Sequence, residues 1–89
     1  MIEEFPVLED GEIALLRAKR ATGHVIDDNF QLAINVSQKV FTVFNDINAA
    51  LLSAREIVKR NSDIEVCLYG KENVMLHLIT ADNLESPNQ

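Results

Sequence analysis

In residues 51–73, LLSAREIVKRNSDIEVCLYGKEN, the apolar pattern changes its period. Up to Arg60 the apolar side chains recur every three or four positions, as on one side of a helix. From Ile64 they alternate, Ile64, Val66 and Leu68 against Glu65, Cys67 and Tyr69, as on a strand. The polar run Asn61-Ser62-Asp63 separates the two. A helix that stops and turns into a strand points to an α+β domain.

Upstream, Asn45 or Asp46 can cap the helix, because a short polar side chain accepts from the free N–H groups of the first turn. Ile47, Ala50, Leu51, Ala54 and Val58 then fall on one stripe, with Ile57 at its border. Arg55, Glu56, Lys59 and Arg60 face away. Lys59 and Arg60 lie in the last turn, where a positive charge offsets the helix dipole. Burial of Leu51 in this stripe predicts a cost of about 2–5 kcal/mol for Leu51→Ala. Leu52 lies about 140° around the helix from Ile47 and is expected to be exposed.

Downstream, residues 63–69 and 74–80 read as two strands joined by a three-residue loop, 71–73, in which Asn73 can take the left-handed conformation. This register sets Gly70 opposite Val74, Tyr69 opposite Met75 and Cys67 opposite His77. It sends Val74, Leu76 and Leu78 toward the helix together with Ile64, Val66 and Leu68.

The N-terminal half supplies three more strands: 12–20, 29–35 and 39–44. Phe30, Leu32 and Ile34 alternate with Gln31 and Ala33, and the third run, KVFTVF, is β-branched and aromatic. Between the first two, residues 21–28 contain Thr22-Gly23 and Asp27-Asp28, which is turn chemistry. The expected fold is an antiparallel sheet of about five strands with one helix, about 46–60, packed on one face, in the order β-β-β-α-β-β. Residues 1–12 read as a loose arm or edge strand and 81–89 as a frayed tail.

With 89 residues, 47% of them hydrophobic, the chain forms one globular domain with a thin core. The formal net charge is -6, with five acids and no base in residues 1–12. Acidity of this size works against phosphate neutralisation, so against nucleic acid, and suits a basic protein partner. One cysteine excludes an internal disulfide and fits a reducing, cytoplasmic setting. The acidic start MIEEFPVLEDGE lacks the pattern of a signal peptide, and the apolar runs are too short to span a membrane.

Few chemical motifs stand out. Cys67 and His77, opposite one another in the expected register, could form a thiolate–imidazole pair, but nothing nearby orients the histidine. Two ligands are also too few for a closed zinc site, and no phosphate loop or dinucleotide fingerprint occurs, so no metal or cofactor is expected. Asp10, Asp27 and Asp28 read as local acceptors for turn backbone. The bases of 17–20 with Lys59 and Arg60 form the nucleic-acid alternative, without interleaved aromatics.

The stronger feature is the sheet face opposite the helix. Alternation places Ala14, Leu16, Ala18, Ala33, Phe41, Val43, Cys67, Tyr69, Met75, His77 and Ile79 there, too apolar a set for a wetted face. Either Phe5, Val7 and Leu8 of the arm cover it, or another protein does. Leu16, Phe41, Val43, Leu52, Cys67, Tyr69, Met75, His77 and Ile79 are therefore the candidate interface of a non-catalytic, protein-binding or self-associating module, with a homodimer or a basic protein as the expected partner.

The segment FTVFNDINAALLSAREIVKRNSDIEVCLYGKENVMLHLI, from Phe41 onward, resembles a family of small uncharacterised bacterial domains of unknown function, with a strand, an Ala-rich helix and a hairpin. Ala50, Ala54, Arg55 and Glu56 match the helix of that family, and YGKEN its turn. The chain departs from it in having no Trp and in carrying Asn73 where Gly is frequent. The resemblance implies a fold and no activity, so it assigns no functional residue.

Overall fold

A computed structural model describes residues 2–84 of the chain. The described elements run β1 (Ile13–Lys19), β2 (Val25–Ile26), β3 (Phe41–Phe44), α1 (Ile47–Arg60), β4 (Ile64–Gly70) and β5 (Val74–Ile79). This is the expected α+β order around an antiparallel sheet, with one helix.

Strand β1 is the spine. On one side it pairs with β4, from Ala14↔Tyr69 to Lys19↔Ile64. On the other it pairs with β3 along Ile13–Leu16 and with β2 at Arg17 and Ala18. The short strands β2 and β3 thus lie end to end beside one long strand. Strand β5 pairs only with β4 and forms the far edge.

Helix α1 packs as its stripe requires. The Asp46 carboxylate accepts from the Ala49 N–H at 2.9 Å and caps the first turn. At the other end the Asn61 N–H donates to the Ile57 and Val58 carbonyls, which ends the helix within the expected polar run. Ala50, Ala54 and Val58 are buried against Ile13, Leu15, Val66, Leu68 and Ile79. The two alanines let the helix axis approach the sheet closely. Ile47 and Leu51 flank this contact and are only half-buried, so Leu51 carries less of the core than its place in the stripe suggested.

Residues 29–35 do not form the expected strand. Phe30 has a φ of +62°, and Leu32 makes only an isolated bridge to Ile26. The physical reason is competition from side chains for the backbone. Asp27 Oδ1 accepts from the Asn29 and Gln31 N–H groups, both at 2.9 Å. Gln38 Oε1 accepts from the N–H groups of Ile34 and Asn35 at 2.6 and 3.1 Å. Gln38 Nε2 then donates to Asp27 Oδ2 at 2.7 Å and closes the loop. The second strand falls instead on Val25–Ile26, inside the segment read as a turn.

The β4–β5 hairpin keeps the expected turn and loses the expected register beyond it. Gly70 faces Val74 and Tyr69 faces Met75, with Glu72 and Asn73 both at φ +65°. A bulge then intervenes between Leu68 and Tyr69, so that Leu68 faces His77 and Cys67 faces Leu78. Gly70 makes room for it: a Cβ there would sit 3.2 Å from Leu76 Cδ1. Past the bulge each side chain of β5 points opposite to the simple alternation. Ile79 is therefore buried under the helix, whereas Val74, Leu76 and Leu78, expected in the core, are 44–54% exposed.

Residues 81–84, read as the start of a frayed tail, form a turn. The Thr80 N–H donates to Asn83 Oδ1 at 3.0 Å, and Ala81 and Leu84 pack against the core. The rest of that stretch, 85–89, lies outside the described residues.

Candidate interaction surface

The arm accounts for half of the apolar second face. Glu3 Oε1 accepts from the Val40 and Phe41 N–H groups at 2.8 and 3.1 Å, which pins the arm to the start of β3. The Phe5 ring then packs edge-on against Phe41 and Tyr69, with centroids 5.0 and 5.3 Å away. Leu8 is buried in the same cluster with Ala14, Val40 and Phe41. Val7, the third side chain expected in this cover, points to solvent instead.

The nine candidate interface residues separate accordingly. Phe41 and Cys67 are buried, and Leu16 and Tyr69 are half-buried on the arm-covered face. Ile79 belongs to the core beneath the helix, and the bulge puts His77 on that side too, facing Leu68. Val43, Leu52, Met75 and His77 are exposed. Leu52 is 67% exposed, as its position on the helix predicted.

With Cys67 and His77 on opposite sides of the sheet, the thiolate–imidazole pair does not exist. Burial pushes the Cys67 thiol pKa above its ordinary value, a hydrogen bond with Tyr69 pulls it partly back, and Glu65 pushes it up again. That is the environment of an inert thiol. No group of three or more potential metal ligands occurs among the described residues.

The bases of the nucleic-acid alternative all have partners within the fold. Arg17 is buried: its guanidinium donates to the Asp27 and Val40 carbonyls and to Thr42 Oγ1 at 3.3–3.4 Å. Lys19 pairs with Asp63, Arg20 with Asp82, and Lys59 and Arg60 both with Glu56. The bases of 17–20 and 59–60 are thus matched by acids or buried. Asp27 acts as the expected local acceptor for turn backbone, whereas Asp10 pairs instead with Lys71, distant in sequence, at 2.9 Å.

Two apolar stretches remain uncovered: Phe30, Leu32, Ile34 and Val36 of the irregular loop, and the flank of the molecule at β5, the only one of the two on a regular strand. From Val74 to Leu78 every residue is exposed, four of the five are large and apolar, and none is Asp, Glu, Lys or Arg. Beside it runs a groove of about 180 Å³ between β5 and α1, lined by Leu51, Arg55, His77, Leu78, Ile79, Asn83 and Leu84. Leu52 lies one helical step, about 100°, beyond Leu51 and extends this flank onto the outer shoulder of α1. Alternation alone missed Leu76 and Leu78 as surface residues. The signal that could have found them is Gly70, a residue without a side chain at the head of a hairpin, where a bulge is most readily accommodated.

No helix among the described residues is long and apolar enough to cross a membrane. Comparison with family models, with curated proteins and with solved structures gives no match.

Proposed function

We propose that this chain is a non-catalytic protein-binding module whose contact surface is the flank formed by β5 and the neighbouring shoulder of α1. One observation carries this reading: an edge strand with five consecutive exposed residues, four of them large and apolar and none charged. Edges left to solvent are ordinarily guarded by lysines, prolines or short length. Exposed apolar surface of this extent marks a contact.

The absence of catalysis in this reading rests on the inert thiol of Cys67 and its separation from His77. The reducing, cytoplasmic setting we assign rests on the single free cysteine. A photo-reactive amino acid placed at position 78, in cells that make the chain naturally, should give cross-linked protein products. The same group at Lys39, an exposed polar residue just before β3 and away from β5, should give few. Equal yields from the two positions would refute the reading.

A further inference from the structure

Resting on that reading, we infer that the occupant of the β5 flank is a second copy of this chain, docked antiparallel about a two-fold axis near Met75 and Leu76, so that Arg55 of one copy faces Glu72 of the other. Three observations lead there.

The first is charge. Arg55 shares the groove with Ile79 and Asn83, so it sits at the C-terminal end of β5. Glu72 lies in the hairpin loop at the N-terminal end. Among the described residues neither makes an ion pair, as holds also for Lys39 and most of the acids, whereas Lys19, Arg20, Lys59, Arg60 and Lys71 all do. An antiparallel pair brings the two ends of β5 together and gives each unmatched charge an opposite partner, twice per dimer. A two-fold contact of this kind uses one patch on both copies.

The second is area. The exposed parts of Val74, Met75, Leu76, Leu78 and Leu52 amount to roughly 500 Å² per copy, about 1,000 Å² in all, the lower bound for a specific interface. The middle of the patch is uncharged, so a chain of net charge -6 can meet itself there without bringing acids together.

The third is how the edge ends. Asn83 Nδ2 donates to the Leu78 carbonyl at 2.8 Å, which occupies one acceptor of β5, and the bulge breaks the ladder at Leu76. Both features oppose open-ended sheet growth. They leave a contact made by side chains that closes at two copies.

The test is light scattering on the purified full chain over a concentration series. The expected result is the mass of two chains. Arg55→Glu and Glu72→Arg should each weaken association by roughly threefold to tenfold, as rim charges do. The double reversal Arg55→Glu/Glu72→Arg should restore it, because the pairing is then rebuilt with the signs exchanged. Leu78→Lys should weaken it more than tenfold while the circular dichroism spectrum of the folded chain is unchanged, since Leu78 lies outside the core. A single-chain mass at every concentration, or a double reversal no better than the single ones, overturns the inference. If a single-chain mass accompanies cross-links from position 78 to other proteins, the flank binds a different partner and only the second copy is excluded. A single-chain mass without such cross-links removes both.

Discussion

Arg17 and Asp27 meet through a hydrogen bond to backbone and not through a direct ion pair. Arg17 Nε donates to the Asp27 carbonyl at 3.3 Å, while the Asp27 carboxylate turns to Asn29, Gln31 and Gln38. The arginine thereby holds the first residue of the long loop against β1, and the aspartate holds the loop itself.

Loss of Arg17 should consequently be felt as a buried hydrogen-bonding defect. Arg17→Ala leaves the Asp27 and Val40 carbonyls without this donor and opens a cavity, and a cost of about 3–5 kcal/mol is expected. Arg17→Met, which keeps most of the volume, should cost less. Urea denaturation of the two variants checks the order.

Asp27 sets an acid limit on the fold. Hydrogen bonds from Gln38 first, then Gln31 and Asn29, hold its pKa below the ordinary carboxylate value, against the opposing effect of burial. A carboxyl group with a depressed folded-state pKa stabilises fully above its unfolded value, about 3.9, and loses that contribution as pH falls through the folded value. Stability should therefore drop below about pH 4, and the drop should flatten in Asp27→Asn. Thermal melts across the acid range read this directly.

Cys67 predicts the opposite limb. Its raised pKa means that the neutral thiol is favoured in the fold, so its contribution is intact below about pH 8.5 and is lost as pH rises through the folded value. Tyr69, raised by burial and then by Cys67, acts in the same direction at higher pH. The native thiol should react with a disulfide reagent at pH 8 at least about tenfold more slowly than the same chain in denaturant. Equal rates would mean that the β4 face is open to solvent.

The arm should be a structural part of the domain. Phe5→Ala removes two edge-to-face ring contacts, each worth about 0.5–1.5 kcal/mol beyond the apolar area it covers. Removing residues 1–12 uncovers Phe41, Ala14 and Tyr69 together and takes away the Glu3 acceptor, so the shortened chain should bind a hydrophobic dye and aggregate. A truncated chain as soluble and as stable as the whole would contradict the docking of the arm.

Within the core, Leu68 and Leu51 separate two kinds of leucine. Leu68 is fully buried under the helix, and Leu68→Ala should cost about 2–5 kcal/mol. Leu51 is half-buried at the groove, and Leu51→Ala should cost about 1–2 kcal/mol, below the range its helical spacing suggested. Denaturation midpoints at constant slope make the comparison.

Helix α1, its caps, β1, β3, β4 and the 71–73 turn were legible because each follows from a local pattern: a period, a capping side chain, a left-handed asparagine. The loop at 29–38 was not, because Asp27 and Gln38 act on backbone several positions away and leave the alternation of Phe30, Leu32 and Ile34 intact in the sequence. The interaction surface was legible only in kind. A bulge of one residue at Leu76 reverses everything after it, so Ile79 enters the core and Leu78 leaves it. Burial of Arg17 was likewise hidden, because an arginine among Lys19 and Arg20 reads as part of a charged run until its carbonyl partners are known.

The position of β1 in the middle of the sheet has a consequence for the birth of the protein. Residue 14 pairs with residue 69, and residue 16 with residues 41 and 67. This strand is made before all of its partners and waits until residue 70 has followed before it can be flanked on both sides. Closing loops of that span precedes any reward from pairing. During synthesis Ile13, Leu15 and Leu16 are exposed as an unpaired apolar strand, flanked by five acids on one side and by Arg17, Lys19 and Arg20 on the other, charges that help to keep such nascent chains apart.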